Sequence, residues 1–170
     1  MNRKVRQLVH AALIAAIYTV LTHLQNLTFP ESASMAIQIR LSEALCVLAF
    51  FTPAAIPGLT IGCALFNLTF AAALPLDMPV GGLATLLATA CMYLTRKLRI
   101  GKLPLLGFFF PALFNALLVG WELSVYIGGA FWLNAVCVAI GELIALLIPG
   151  MLLWSLLNRK DLGNRLFSSV

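Results

Sequence analysis

Gln38-Ile-Arg-Leu-Ser-Glu-Ala-Leu-Cys-Val-Leu-Ala-Phe-Phe-Thr-Pro-Ala-Ala-Ile-Pro-Gly58 puts a cation and an anion at the head of an apolar run that no water-facing surface would tolerate. Arg40 and Glu43 are three residues apart, a spacing at which side chains meet on a helix. Charges at the mouth of a membrane helix are costly unless they face protein or a water-filled cavity. The mouth therefore reads as one wall of a solute pocket. The alternative is an interfacial ion pair that anchors the helix end. Pro53, Pro57 and Gly58 close the run in a tight turn.

The remaining chain has the same character. Of 170 residues, 62% are hydrophobic and 10% charged, against roughly 25% charged in an ordinary soluble domain. The apolar residues come in long blocks. This places residues 1–170 in a bilayer as one integral membrane domain of the all-α class. At roughly 20 residues per crossing the chain holds about six transmembrane helices, near residues 8–25, 39–53, 57–73, 79–97, 104–124 and 130–157. The N-terminal basic residues and apolar stretch mimic a signal peptide, but spans continue without a small-residue cleavage site, so the stretch reads as a retained first helix.

Ten of the eleven Lys and Arg residues fall in three segments: Arg3, Lys4 and Arg6; Arg96, Lys97, Arg99 and Lys102; Arg159, Lys160 and Arg165. With six crossings and both N and C termini cytoplasmic, all three segments lie inside, as the positive-inside rule requires. The net charge of +5 is thus topological and does not indicate nucleic acid. Only Arg40 breaks the pattern, at an outer helix end. The connection 26–37, with Asn26, Pro30, Glu31 and Ser32 but no Lys or Arg, reads as extracytoplasmic and long enough for a lid.

Cys46, Cys63, Cys91 and Cys137 lie within apolar blocks with no Cys-x-x-Cys pair, which predicts packing residues and neither disulfides nor a metal site. His10 and His23 lack metal-ligand spacing, and no cofactor is expected. An intramembrane enzyme using Glu43, Glu122 or Glu142 as acid or base finds no supporting metal motif.

Polar groups isolated in membrane helices mark function. Asn115 and Glu122 are seven apart in the fifth span and share a face at roughly 100° per residue. Asn134 lies at a similar depth, while Glu142 lies about two turns deeper and roughly 80° around the helix, towards a different neighbour. With Arg40 and Glu43 these groups converge on the extracytoplasmic half. Each has a plainer reading. The two amides serve as interhelical glue, Glu122 as a solvated end group, Glu142 as a structural partner and Asp77 as a solvated loop residue. Trp121, Tyr126 and Trp132 read as an interfacial aromatic belt or as a stacking platform. Carboxylates accept paired N–H donors or an ammonium, and Asn both donates and accepts. The inventory suits a small, flat, hydrogen-bond-rich solute, neutral or cationic.

Ala11, Ala12, Ala15 and Ala16 form two overlapping small-x-x-x-small pairs on the first helix. Such stripes let another helix approach, whether in this chain or in a partner.

The run Gln38 to Leu45 with Phe50 to Gly58, the segments Phe114-Asn-Ala-Leu-Leu-Val-Gly-Trp-Glu-Leu123 and Phe131-Trp-Leu-Asn-Ala135, and Gly141-Glu142 resemble the queuosine-precursor transporter (QueT) family along nearly the whole chain. Members of that family are substrate-binding S components of energy-coupling factor (ECF) transporters. The resemblance implies a six-helix S-component bundle in a prokaryotic plasma membrane, with an outward pocket beneath the loop between helices 1 and 2. It implies that the alanine stripe docks onto a membrane-embedded ECF coupling subunit that rides on two cytosolic ATPases. It also implies a 7-deazaguanine solute, such as 7-aminomethyl-7-deazaguanine, or queuine. Glu122 and Asn134 would then read the heterocycle, Asn115 would support Glu122, and Glu43 with Arg40 would hold the polar arm. Trp132 and Glu142 would complete the pocket. The chain has no Gly-x-x-x-x-Gly-Lys-Ser/Thr phosphate loop of its own. A stand-alone secondary carrier is the competing class, and no inverted repeat supports it.

Overall fold

A computed structural model describes residues 2–29, 39–70, 72–99, 103–159 and 162–167. Its helices are α1 (Arg3–Thr28), a 3₁₀ segment (Leu41–Phe50), α2 (Ala55–Thr69), α3 (Asp77–Thr95), α4 (Leu105–Tyr126), α5 (Phe131–Ala145), a π turn (Leu146–Gly150), α6 (Met151–Asn158) and α7 (Leu162–Phe167). Among the described residues, four stretches are long and apolar enough to cross a membrane: α1, α3, α4 and the continuous run Phe131–Asn158. Leu41–Phe50 and Ala55–Thr69 are apolar but shorter.

Neighbouring helices pack in sequence, α1 on α2, α2 on α3, α3 on α4 and α4 on α5. The α1–α2 seam is parallel and nearly bare of side chains. A Cβ on Gly58 would lie 2.8 Å from the Ala11 carbonyl, and one on Gly62 would lie 2.8 Å from Tyr18 Cβ and 2.9 Å from the Ala15 carbonyl. Small residues four apart on both helices permit this approach, the mode by which helices associate in lipid. The α4–α5 hairpin is similarly close, with Gly120 against Ala135.

The second expected span is where the structure departs most from an α-helical reading. Leu41–Phe50 is a ten-residue 3₁₀ helix. At ~2.0 Å per residue it reaches ~20 Å, where an α-helix of that length reaches ~15 Å. Its three-residue period aligns Arg40, Glu43, Cys46 and Ala49, all buried. The sixth span is interrupted as well. Pro149 lacks an N–H for the ladder, and the π turn around it absorbs the defect. The two irregular segments meet, Gly150 lying against Val47 and Ala44. Around them Ile14, Tyr18, Leu59, Met92, Phe108 and Leu146 form the core.

One end of the bundle gathers the basic segments. Phe51 touches Gly163 of α7, Phe50 touches Gly107 where α4 begins, and the His10 and Phe167 rings meet edge-on at 5.5 Å. The polar residues of the next section lie away from that end. The expected lid falls mostly on residues 30–37, outside the described residues; α1 itself continues to Thr28.

Candidate solute site

Arg40 is the last extended residue before the 3₁₀ turn begins, with φ −99° and ψ 110°. It is buried, and its guanidinium carbon lies 5.6 Å from the centre of the Phe66 ring. The chain is steered into this position by Gln25 of α1. The Gln25 carboxamide accepts the Leu41 N–H at 2.6 Å and donates to the Ile39 carbonyl. One turn along, the Thr22 and Ser42 hydroxyls are hydrogen-bonded at 2.6 Å. Glu43 is buried, accepting the Tyr18 phenol on one oxygen and the Cys46 S–H at 3.2 Å on the other. Tyr18 and Cys46 thus orient Glu43, while Arg40 remains within electrostatic reach of it.

On α4, Asn115 and Glu122 are both buried, as their shared face requires. Neither Glu122 oxygen has a hydrogen-bond partner among the described residues, nor does Asn115 Nδ2. On α5, Glu142 is buried with Oε2 unpartnered. It does face a different neighbour from Asn134, lying within electrostatic reach of Glu43 and Cys46.

Asp77 corrects the sequence expectation of a solvated loop residue. It is buried at the start of α3. Its Oδ2 accepts the Leu74 N–H at 2.6 Å, and its carbonyl accepts Asn67 Nδ2 at 2.7 Å. The Glu122 carboxyl lies against it across the α3–α4 seam, close enough for the two acids to share a proton, although no other group donates to Glu122 among the described residues. Arg40 lies within electrostatic reach of Glu43, Asp77, Glu122 and Glu142. One guanidinium therefore stands among four carboxylates contributed by the 3₁₀ segment, α3, α4 and α5. Burying carboxylates without matching cations or donors is costly. The unpartnered oxygens of Glu122 and Glu142 and the amide atoms Asn115 Nδ2 and Asn67 Oδ1 are where an outside molecule would relieve that cost.

Two expected residues stand apart from this set. Asn134 donates to Ser124 Oγ at 3.3 Å and to the Gly128 carbonyl at 3.0 Å, bracing the α4–α5 turn. Gly128 and Gly129 hold φ of 89° and 85° there, a conformation suited to glycine. Trp132 is 72% exposed, packed edge-on against Phe131. With Trp121 and Tyr126 also exposed, the belt reading describes these aromatics better than a stacking platform.

The alanine stripe divides. Ala11 and Ala15 are buried against Gly58 and Gly62, so that pair is spent within the chain. Ala12 and Ala16 are exposed. The stripe lines an apolar groove of about 560 Å³ with Pro53, Pro57, Ile61 and Leu65.

Tyr18, Gln25, Asn67 and Asp77 were not singled out by sequence as site residues. A lone hydroxyl, amide or carboxylate in or beside a span signals too little; only the fold shows which of them lie near Arg40 and Glu43.

A sequence model of the family described as QueT transporter matches residues 8–159. The chain is also 32% identical over 168 residues to the queuosine precursor transporter QueT of Lactococcus lactis subsp. cremoris (strain MG1363), covering 94% of this chain and 97% of that relative. No solved structure matches the chain.

Proposed function

This chain belongs to the QueT transporter family, and from that premise we propose that it is the solute-binding S component of an energy-coupling factor transporter. It is a multi-pass protein of the cell membrane, and its family is one of transporters rather than enzymes. The proposed solute is a 7-deazaguanine precursor of queuosine, 7-aminomethyl-7-deazaguanine or queuine. The name of the Lactococcus relative supports this class.

The observation that carries the reading is Glu122, a carboxyl at 0% exposure that receives no N–H or hydroxyl donor among the described residues, set against the Asp77 carboxyl and within reach of Arg40. A carboxylate so placed accepts two parallel N–H bonds, the pattern offered by the N1–H and 2-amino edge of a guanine-like ring. Asn115 adds a donor on the same helix face. Glu43, Arg40 and Glu142 form the deeper wall. Asn134 acts indirectly, by setting the turn that fixes the end of α4, and Trp132 sits at the rim.

Six crossings with both termini cytoplasmic are part of the proposal. The gathering of the basic segments at one end of the bundle supports it. Without a phosphate loop in this chain, energy would come from a partner. The exposed Ala12 and Ala16, in a groove with Pro53 and Pro57, suit the close approach of a membrane-embedded coupling subunit carrying two cytosolic ATPases.

Uptake of labelled 7-aminomethyl-7-deazaguanine, in cells expressing the protein with and without the coupling subunit and ATPases, tests the reading. Uptake only with the partners is expected. Equal uptake without them would make the protein a stand-alone carrier.

A further inference from the structure

Residues 39–41 alternate as an extended strand does. Ile39 is 37% exposed and Leu41 41%, whereas Arg40 between them is 9% exposed, in keeping with its φ of −99° and ψ of 110°. A slip of one residue would turn Leu41 inward and Arg40 outward. Hydropathy does not fix this register, because in lipid an apolar side chain gains little by turning towards the bundle. Polar contacts must fix it, and two of them come from one side chain. The Gln25 carboxamide accepts the Leu41 N–H at 2.6 Å and donates to the Ile39 carbonyl. These are the peptide groups on either side of Arg40, held as a neighbouring strand would hold them.

A carboxamide brings a donor and an acceptor in one plane. Glu accepts without donating, and Lys donates without accepting. One turn earlier on the same face of α1, the Thr22 hydroxyl bonds that of Ser42 at 2.6 Å, so this face follows the chain into the 3₁₀ segment. With the peptide groups on both sides of it fixed, Arg40 has one direction in which to extend. Its guanidinium carbon ends 5.6 Å from the centre of the buried Phe66 ring.

We propose that Gln25 is a positioning residue for solute binding: it pins the register of residues 39–41 and so keeps Arg40 turned into the bundle, without itself touching the solute. The inference rests on Arg40 being part of the proposed solute wall. Because Gln25 acts through Arg40, its loss matters to binding only while Arg40 is there to be placed. A residue that merely supported the fold would matter equally with or without Arg40.

A double-mutant cycle of Gln25→Met and Arg40→Met, read by isothermal titration of the purified full chain with 7-aminomethyl-7-deazaguanine, tests it. Gln25→Met removes both hydrogen bonds and keeps the length of the side chain. It should weaken binding about tenfold in the wild-type background. With Arg40→Met already in place, the same change should alter affinity by less than about twofold. Equal losses in both backgrounds would reduce Gln25 to a support of the fold and overturn the proposal. So would wild-type affinity in Gln25→Met. Gln25→Glu, which keeps an acceptor for the Leu41 N–H and loses the donor to Ile39, serves if the Met variant does not purify, and Arg40→Gln serves likewise for Arg40→Met. If the Arg40 variant alone bound as wild type does, Arg40 would leave the solute wall and the inference would fall with it. If wild-type protein bound no solute, the deazaguanine reading itself would be refuted.

Discussion

A buried carboxyl set against another carboxyl, with no donor to its oxygens from elsewhere among the described residues, works against the fold that contains it, and Glu122 beside Asp77 is such a group. Opposite consequences follow for stability and for binding. Glu122→Gln should lower deazaguanine affinity by roughly 1.5–3 kcal/mol, the range for a hydrogen bond to a charged group. The same change should leave the ligand-free protein as stable or more so in thermal denaturation, a trade between function and stability. A variant that lost stability as well as affinity would mark Glu122 as a structural group. Trp132 gives the converse case. Because it is 72% exposed, Trp132→Ala should change solute affinity by less than about threefold in the same titration. Much of this was legible at the level of single residues. Arg40, Glu43, Asn115, Glu122 and Glu142 stand out because ionisable and amide groups in apolar runs need a reason. Asp77 escaped because an acidic residue between two prolines looks like any loop residue. Its burial depends on Asn67 reaching it from α2, which no spacing in the sequence encodes.

Among the elements, the α1–α2 seam and the outer face of α1 separate two uses of one alanine stripe. Gly62→Leu would drive a side chain into the Ala15 carbonyl and Tyr18 Cβ. It should cost the fold about 1–3 kcal/mol, as overpacking does, and should disturb Tyr18, which holds Glu43. Ala12→Leu with Ala16→Leu fills only the exposed groove. It should abolish pull-down of the coupling subunit while titration still detects solute. Wild-type pull-down by that double variant would remove the groove from the proposal. The sequence reading placed the small-residue stripe but not its division, because Ala11 and Ala12 are chemically identical and only packing distinguishes them. The 3₁₀ segment was illegible for a related reason. Nothing in the composition of Leu41–Phe50 disfavours an α-helix. Its geometry is supported by contacts from Thr22, Gln25 and the π turn, all remote in sequence.

At the scale of the molecule, a bundle with charge gathered at one end and unpartnered acceptors away from it has a direction built into it. Single cysteines introduced at Asn2 and at Asn158 should both react with an impermeant thiol reagent only from the cytoplasmic side. Labelling of the two from opposite sides would break the six-crossing topology. Apolar blocks made the all-helical membrane class readable from the sequence, since lipid leaves a chain few choices, while the number of crossings and the side of each terminus are what the labelling decides. The proposed solute site was readable only in part, because helices alternate in direction and residues far apart in sequence meet at the same depth. The most direct test is a structure determined with 7-aminomethyl-7-deazaguanine bound. The solute should lie between α3, α4 and the 3₁₀ segment, with ring N–H groups about 3 Å from the Glu122 oxygens. Solute lying along the α1 groove or against Trp132, with Glu122 still unpartnered, would contradict the assignment.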